Sequence, residues 1–138
     1  MKQDFHTVII PTHAAALYEF TSAAQAFVRK SGIQDGLLTC FIRHTSASVL
    51  IQENADPNVQ HDLIAAFARL APENFPYRHD DEGPDDMPSH IKSALTAVSI
   101  GVPVRGGQLA LGTWQGLYLF EHRAIAHRRE VLLHLIGE

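Results

Sequence analysis

Apolar and polar positions change their rhythm along this chain, and each change marks an element. "DFHTVII" (Asp4–Ile10) carries apolar Phe5, Val8 and Ile10 and stops at Pro11, which predicts a strand. "TSAAQAFVRKSG" (Thr21–Gly32) has Ala23, Ala26 and Phe27 at helical spacing. Thr21 or Ser22 is placed to cap that helix, and Gly32 to end it. "GLLTCFIR" (Gly36–Arg43) is almost continuously apolar, as expected of a strand covered on both faces. "SVLIQ" (Ser48–Gln52) is a further strand. In "DPNVQHDLIAAFARLAP", Val59, Leu63, Ile64, Phe67 and Leu70 recur every three or four residues and form one apolar face. Asp56 is its N-cap and Pro57 its first helical residue.

After Pro72 the rhythm is lost. Residues 72–88, "PENFPYRHDDEGPDDMP", form a long proline-rich loop, and long loops inside compact domains are often functional. "SHIKSALTAV" (Ser89–Val98) predicts a short helix with Ile91, Ala94, Leu95 and Val98 as its inner stripe. "VPVRGGQLAL" (Val102–Leu111) predicts a hairpin, since Gly106-Gly107 can take the positive φ angles of a two-residue turn. "GLYLFEHR" (Gly116–Arg123) and "REVLLHLIG" (Arg129–Gly137) are the last strands. Alternation along residues 116–122 puts Tyr118, Phe120 and His122 on one face and Leu117, Leu119 and Glu121 on the other. Two main helices, a short third helix and a mixed or mainly antiparallel sheet make one α+β domain over residues 1–138.

Composition narrows the class. With 138 residues, 46% of them hydrophobic, the chain can bury its own core. A net charge of −4 and scattered Lys and Arg argue against nucleic-acid binding. One cysteine, Cys40, excludes a disulfide framework and reads as a small buried hydrophobe. No apolar run is long enough to span a bilayer, and the N-terminus does not read as a signal peptide, so a soluble cytoplasmic protein is expected. The outlying number is nine histidines, which are dispersed. Histidine is the commonest metal ligand and the side chain most easily titrated near neutrality.

Polar groups collect beside apolar elements in four places. The first is His44-Thr45-Ser46 together with Glu53-Asn54, at the ends of a strand. The second is "HDDEGPDDMPSH" (His79–His90), which sets five carboxylates between two histidines. Acids before a helix cap its N–H groups and suit its dipole, a task for Asp85 or Asp86. Capping needs one or two acids, however, and five flanked by histidines also suit a metal site or a proton-handling cluster. The third is "GTWQG" (Gly112–Gly116), read either as a tight turn or as Trp114 and Gln115 presented to a small molecule. The fourth is Glu121-His122. His44, His90 and His122 each stand at the mouth of a regular element, and three histidines with an open position suit catalytic zinc. Asp85 or Glu121 would then orient a histidine. Arg123 could meet an anionic substrate group or simply end a strand, and Arg128-Arg129 reads as the charged start of the last strand.

These segments, in this order, resemble the YjbQ family, whose members are often labelled secondary thiamine-phosphate synthase. "SGIQDGLLTCFIRHTSASVLIQENADPNVQHDL", "EGPDDMPSHIKSAL" and "PVRGGQLALGTWQGLYLFEHR" carry the likeness over about half of the chain. "HAAALYEFT" and "AIAHRRE" depart from the family pattern, so the roles of residues 13–20 and 124–128 are not carried over. The resemblance implies an α+β homotrimer. It implies catalytic roles for His44, Ser46, Glu53, Asp85 and Glu121, and substrate contacts from Thr45, Asn54, Trp114, Gln115 and Arg123. His44, His90 and His122 would hold a divalent metal, zinc on donor type, with magnesium the alternative for a diphosphate substrate. The implied activity joins a pyrimidine diphosphate to a thiazole phosphate, expected here as a weak or secondary reaction. The competing expectation is a non-catalytic trimer that holds a metal or a phosphorylated metabolite. Neither nucleic acid nor membrane is an expected partner.

Overall fold

The computed structural model describes residues Met1–Glu138. Eleven elements follow in the order β1 (Lys2–Thr12), β2 (Ala16–Glu19), α1 (Thr21–Ser31), β3 (Gly36–Ile42), β4 (Ala47–Glu53), α2 (Pro57–Leu70), α3 (Asp86–Leu95), β5 (Ser99–Arg105), β6 (Gln108–Leu109), β7 (Gln115–Glu121) and β8 (His127–Gly137). The strands form two sheets, one ordered β1-β8-β3-β5-β6 and the other β2-β7-β4. Every strand pair is antiparallel.

The core lies between the sheets. Leu38, Cys40 and Ile42 of β3 and Val131, Leu133 and Leu135 of β8 meet Val49 of β4 and Leu117 and Leu119 of β7, with Ala24, Phe27 and Val28 of α1 completing the cluster. The Gln25 side chain receives the Leu109 N–H at 2.9 Å and donates to the Gly107 carbonyl at 3.0 Å, so α1 also holds the β5–β6 hairpin. A smaller cluster forms on the other face of the three-stranded sheet, where Ile64 and Phe67 of α2 cover Leu17, Tyr118 and Phe120. α3 packs beside it, the Ser93 hydroxyl reaching the Ala47 carbonyl at 3.3 Å.

Local chemistry explains most boundaries. The Asp56 carboxylate accepts the Asn58 N–H at 2.9 Å and Pro57 opens α2, as expected. Gly32 ends α1 at φ 75°, and Gly106 and Gly107 turn the hairpin at φ 59° and 71°. Gly36 and Gly137 face each other in the β3–β8 pair, and a Cβ on either would collide with the partner backbone.

Three expectations need correction, and one strand was not foreseen. β3 is not covered on both faces: Leu37 and Phe41 are 45% and 43% exposed on the outer side of the five-stranded sheet, because no helix lies there. β2 went unread, since its four residues are too few to show an alternation. α1 has Phe20 at its N-cap with no side-chain cap; the Thr21 hydroxyl instead accepts the Leu117 N–H at 2.9 Å. α3 begins three residues early, at Asp86, and its buried stripe is Asp86, Ser89 and Ser93 rather than Ile91, Ala94, Leu95 and Val98. Small and hydrogen-bonded residues let α3 sit close to β4, which leaves Leu95 and Val98 in solvent.

Candidate functional site

The helix register that buries Asp86 also builds the densest group of donor atoms. His90 lies one turn beyond Asp86 on the same face of α3, and the preceding loop folds His79 back onto them. The Nε2 atoms of His79 and His90 both face Asp86 Oδ2, His90 at 3.2 Å. One ligand atom from each of the three residues lies within 4.8 Å of the others. Asp86 is almost wholly buried, while the His79 side chain is 41% exposed, so the group opens to solvent on the His79 side.

Hydrogen bonds around the group fix its orientation. His90 Nδ1–H donates to the Thr45 carbonyl at 2.9 Å, which leaves the Nε2 lone pair directed at Asp86. A lone pair against a carboxylate is unfavourable unless a cation lies between them, either a proton or a metal ion. A histidine whose second nitrogen is held by a backbone carbonyl is the usual arrangement of a metal ligand. The hydrogen bond to Asp86 raises the His79 pKa above its ordinary value. Burial pushes the Asp86 carboxyl up, but His79, His90 and Arg123 more than offset this and hold it low. Two imidazole nitrogens and one carboxylate oxygen with an open side match the donors of a zinc site with a vacant position.

Arg123 supports the group from behind. Its Nη1–H donates to Asp86 Oδ1 at 2.7 Å, its Nε–H to Asp85 Oδ2 at 3.1 Å and its Nη2–H to the Glu82 carbonyl at 3.0 Å. The guanidinium expected to meet substrate is therefore engaged within the protein. Asp85 holds the N-cap position without capping; its carboxylate takes Arg123 and the Ala124 N–H at 2.8 Å. Burial pushes its pKa up, and these two donors bring it below the ordinary value.

His44 and His122 do not join His90. His44 Nε2 accepts the Glu130 N–H at 2.8 Å, which places the ring proton on Nδ1 and leaves neither nitrogen with a free lone pair. Burial, then the Arg129 guanidinium, lowers its pKa. His122 is 2% exposed, lies against Phe120 and shares a 2.9 Å hydrogen bond between Nε2 and Ser48 Oγ. Its Nδ1 is buried without a partner. Burial, reinforced by Lys92 and Arg129, depresses its pKa to about 3. A histidine that charges at 6.5 in the unfolded chain but only near 3 in the native one destabilises the fold on acidification. Relative to His122→Phe, the wild-type protein should lose about 1.4 kcal/mol of stability for each pH unit below 6.5, down to about 3. Urea midpoints of both proteins at several pH values measure this, and parallel curves would refute it.

Glu121 and Arg129 close one mouth of the sandwich. Arg129 is 4% exposed, not a surface charge at the start of a strand. Its Nη2 lies 2.6 Å from Glu121 Oε2 and 2.9 Å from Ser46 Oγ, and its Nε lies 2.9 Å from Glu121 Oε1. Thr12 Oγ1–H at 2.6 Å and the backbone N–H groups of His122 and Arg123 at 3.1 and 3.4 Å complete the shell of Glu121. With its acceptor capacity filled, Glu121 joins the two sheets rather than facing a substrate, and Ser46 serves it.

The remaining candidates lie at the far end of β4. Ala47 pairs with Glu121 and Glu53 with Gln115, so seven residue steps, about 23 Å of extended chain, separate Ser46 from Glu53. Glu53 Oε2 accepts the Asp56 N–H at 3.2 Å, and the Asn54 N–H donates to the Trp114 carbonyl at 3.0 Å. Gln115 Oε1 accepts the Gly112 N–H at 2.8 Å, closing a tight turn that leaves Trp114 63% exposed. Within one chain, the His44–Ser46 and Glu53–Asn54 segments are thus separate surfaces. The member of this group that sequence reading left unassigned is His79. Its signal was its place in the acidic stretch, without any spacing that would bring it to His90.

The chain and its fold have close parallels. The family model described as "UPF0047 protein YjbQ-like" matches residues 6–138. The UPF0047 protein sll1880 of Synechocystis sp. is 52% identical over 138 residues, covering 99% of this chain and 94% of its own. The UPF0047 protein YjbQ of Salmonella typhimurium is 49% identical over 77% of each chain. A solved YjbQ/UPF0047 protein from Clostridium acetobutylicum superposes with a TM-score of 0.84 at 30% identity, covering 94% of this chain and 99% of its own. A YbjQ-like protein of unknown function from Sulfolobus solfataricus shares the fold with a TM-score of 0.88 at 22% identity, over 99% and 100% of the two chains. A family-model match over nearly the whole length, together with relatives near half identity, shows that this chain belongs to the YjbQ (UPF0047) family.

Proposed function

We propose that the protein is an enzyme acting on a small phosphorylated metabolite, with a divalent cation, zinc by donor type, held by His79, Asp86 and His90. The observation that carries this reading is the convergence of two Nε2 atoms on Asp86 Oδ2, with the His90 tautomer set by the Thr45 carbonyl. A cation bound there would draw phosphate oxygens and offset their charge. Arg123 fixes Asp86, the loop positions His79, and β7 fixes Arg123. The activity to test first is the one that the family resemblance supplies, the joining of a pyrimidine diphosphate to a thiazole phosphate with release of pyrophosphate. Untagged protein should contain about one zinc per chain, and pyrophosphate release should depend on it. Bound metal without turnover of any phosphorylated metabolite would leave a binding module, the reading favoured by the full engagement of Asp85, Glu121 and Arg123. Absence of both would refute both readings.

The working assembly we propose is a homotrimer. On the outer side of the five-stranded sheet, Phe5 is 57% exposed, beside Ile9, Leu37, Phe41 and Ile136. A contiguous apolar sheet face of this kind marks an interface, and closed cyclic oligomers are the usual way to cover one. Sedimentation at micromolar concentration should give three chains, and Phe41→Glu should shift the species toward monomer. A monodisperse monomer for the unaltered protein would refute this.

A further inference from the structure

We propose that the cavity formed by the loop between α2 and α3 binds an organic cation, an ammonium or similar charged group carried on a small hydrocarbon or ring body. The cavity has a volume of about 340 Å³, and its walls include Glu73, Phe75, Tyr77, His79, Asp80 and Met87. Such a volume is at the low end for small-molecule sites and suits one ring or a branched ammonium.

The character of its walls selects the charge. Phe75 is a large aromatic left 59% exposed. It packs on Tyr77 with ring centroids 5.0 Å apart, and Tyr77 is fixed by a 2.7 Å hydrogen bond from its hydroxyl to the Pro72 carbonyl. Both rings line the cavity, and the face of an aromatic ring is its electron-rich side, which attracts a cation. Glu73 and Asp80 take part in no side-chain hydrogen bond and no ion pair, unlike Asp85 and Asp86, which Arg123 engages. Lys92 acts on Glu73 from a distance without pairing with it. No lysine or arginine lines the cavity, and its one basic wall, His79, is turned toward Asp86. An anion would meet two free carboxylates here, and a neutral apolar group would strip them of water without compensation. A cation with an apolar body satisfies both kinds of wall.

The inference goes beyond the metal reading and does not depend on it, although His79 is common to the two sites. The test titrates the full-length protein, zinc-free and zinc-loaded, with benzylamine (protonated at pH 7) and with neutral benzyl alcohol. Binding is followed by calorimetry and by chemical shifts of residues 73–87. Benzylammonium should bind about tenfold more tightly than the alcohol, the scale of a cation held by aromatic faces and carboxylates. Glu73→Gln with Asp80→Asn should abolish that preference, and Phe75→Ala, at an exposed position, should weaken benzylammonium several-fold without affecting zinc. Equal affinity for the two probes, no binding of either, or a preference that persists in the double variant would overturn the proposal. Failure to bind zinc with the preference intact would instead overturn only the metal reading.

Discussion

Replacing Arg129 with methionine should lower the stability of this protein by about 3–5 kcal/mol, the cost of leaving a buried charge without its partner. The reason lies in how Glu121 is placed. It occupies the core-facing side of β7, fully buried between the two sheets, and every donor hydrogen-bonded to it except Thr12 and two backbone N–H groups belongs to Arg129. Ordinary domains have only about 5–15 kcal/mol in total, so the variant would stand near the edge of unfolding. The double variant Glu121→Leu, Arg129→Met should recover much of the loss, because an apolar pair of similar volume often replaces a buried ion pair at little cost. Urea unfolding followed by far-ultraviolet circular dichroism gives all three values. A single variant within about 1 kcal/mol of wild type would show that the pair does not join the sheets.

His90→Ala should leave the fold intact and reduce zinc affinity, and any zinc-dependent turnover, by tenfold or more. Loss even of a group that only orients a ligand can cost that much. The His90 side chain is 32% exposed and belongs to neither apolar cluster, so its removal should cost no more than about 1–2 kcal/mol, the ordinary range of a point substitution. His79→Ala should behave alike, since its side chain is 41% exposed and reaches the same Asp86 oxygen. His44→Ala is the contrast: it removes the acceptor of the Glu130 N–H and should reduce stability rather than metal content. The measurements are zinc per chain after dialysis against a weak chelator and thermal unfolding of each variant. Full zinc content in both His79→Ala and His90→Ala would refute the site.

The elements that could be read from the sequence are those whose signals are local. Asp56-Pro57 announces the start of α2, Gly106-Gly107 announces a hairpin, and alternation along β7 placed Tyr118 and His122 on one face and Glu121 on the other. The α+β class and the family likeness followed from such segments. What could not be read depends on partners distant in the chain. Arg128-Arg129 looks like a charged pair, and only the pairing of β8 with β1 and β3 turns the second arginine inward to Glu121. His44, Glu53 and Trp114 flank apolar strands in similar ways, but sequence alone does not show that Glu53 and Trp114 share one end of the three-stranded sheet while His44 lies beyond the other. The acidic stretch could be read as a helix cap or as a site, and a loop without periodicity gives no means of placing His79 over Asp86. α3 was misjudged because its buried face is made of serines and an aspartate, which hydrophobic patterning assigns to solvent.

Cys40 lies at the centre of β3, wholly buried, with its thiol pushed up to about 12 by burial. Because the thiolate is the reactive form, alkylating reagents find no nucleophile here while the two sheets remain closed. The rate at which this single thiol is labelled therefore reports how often the sandwich opens. That gives each variant a clock for its excursions from the native state, read from one atom and without added probes.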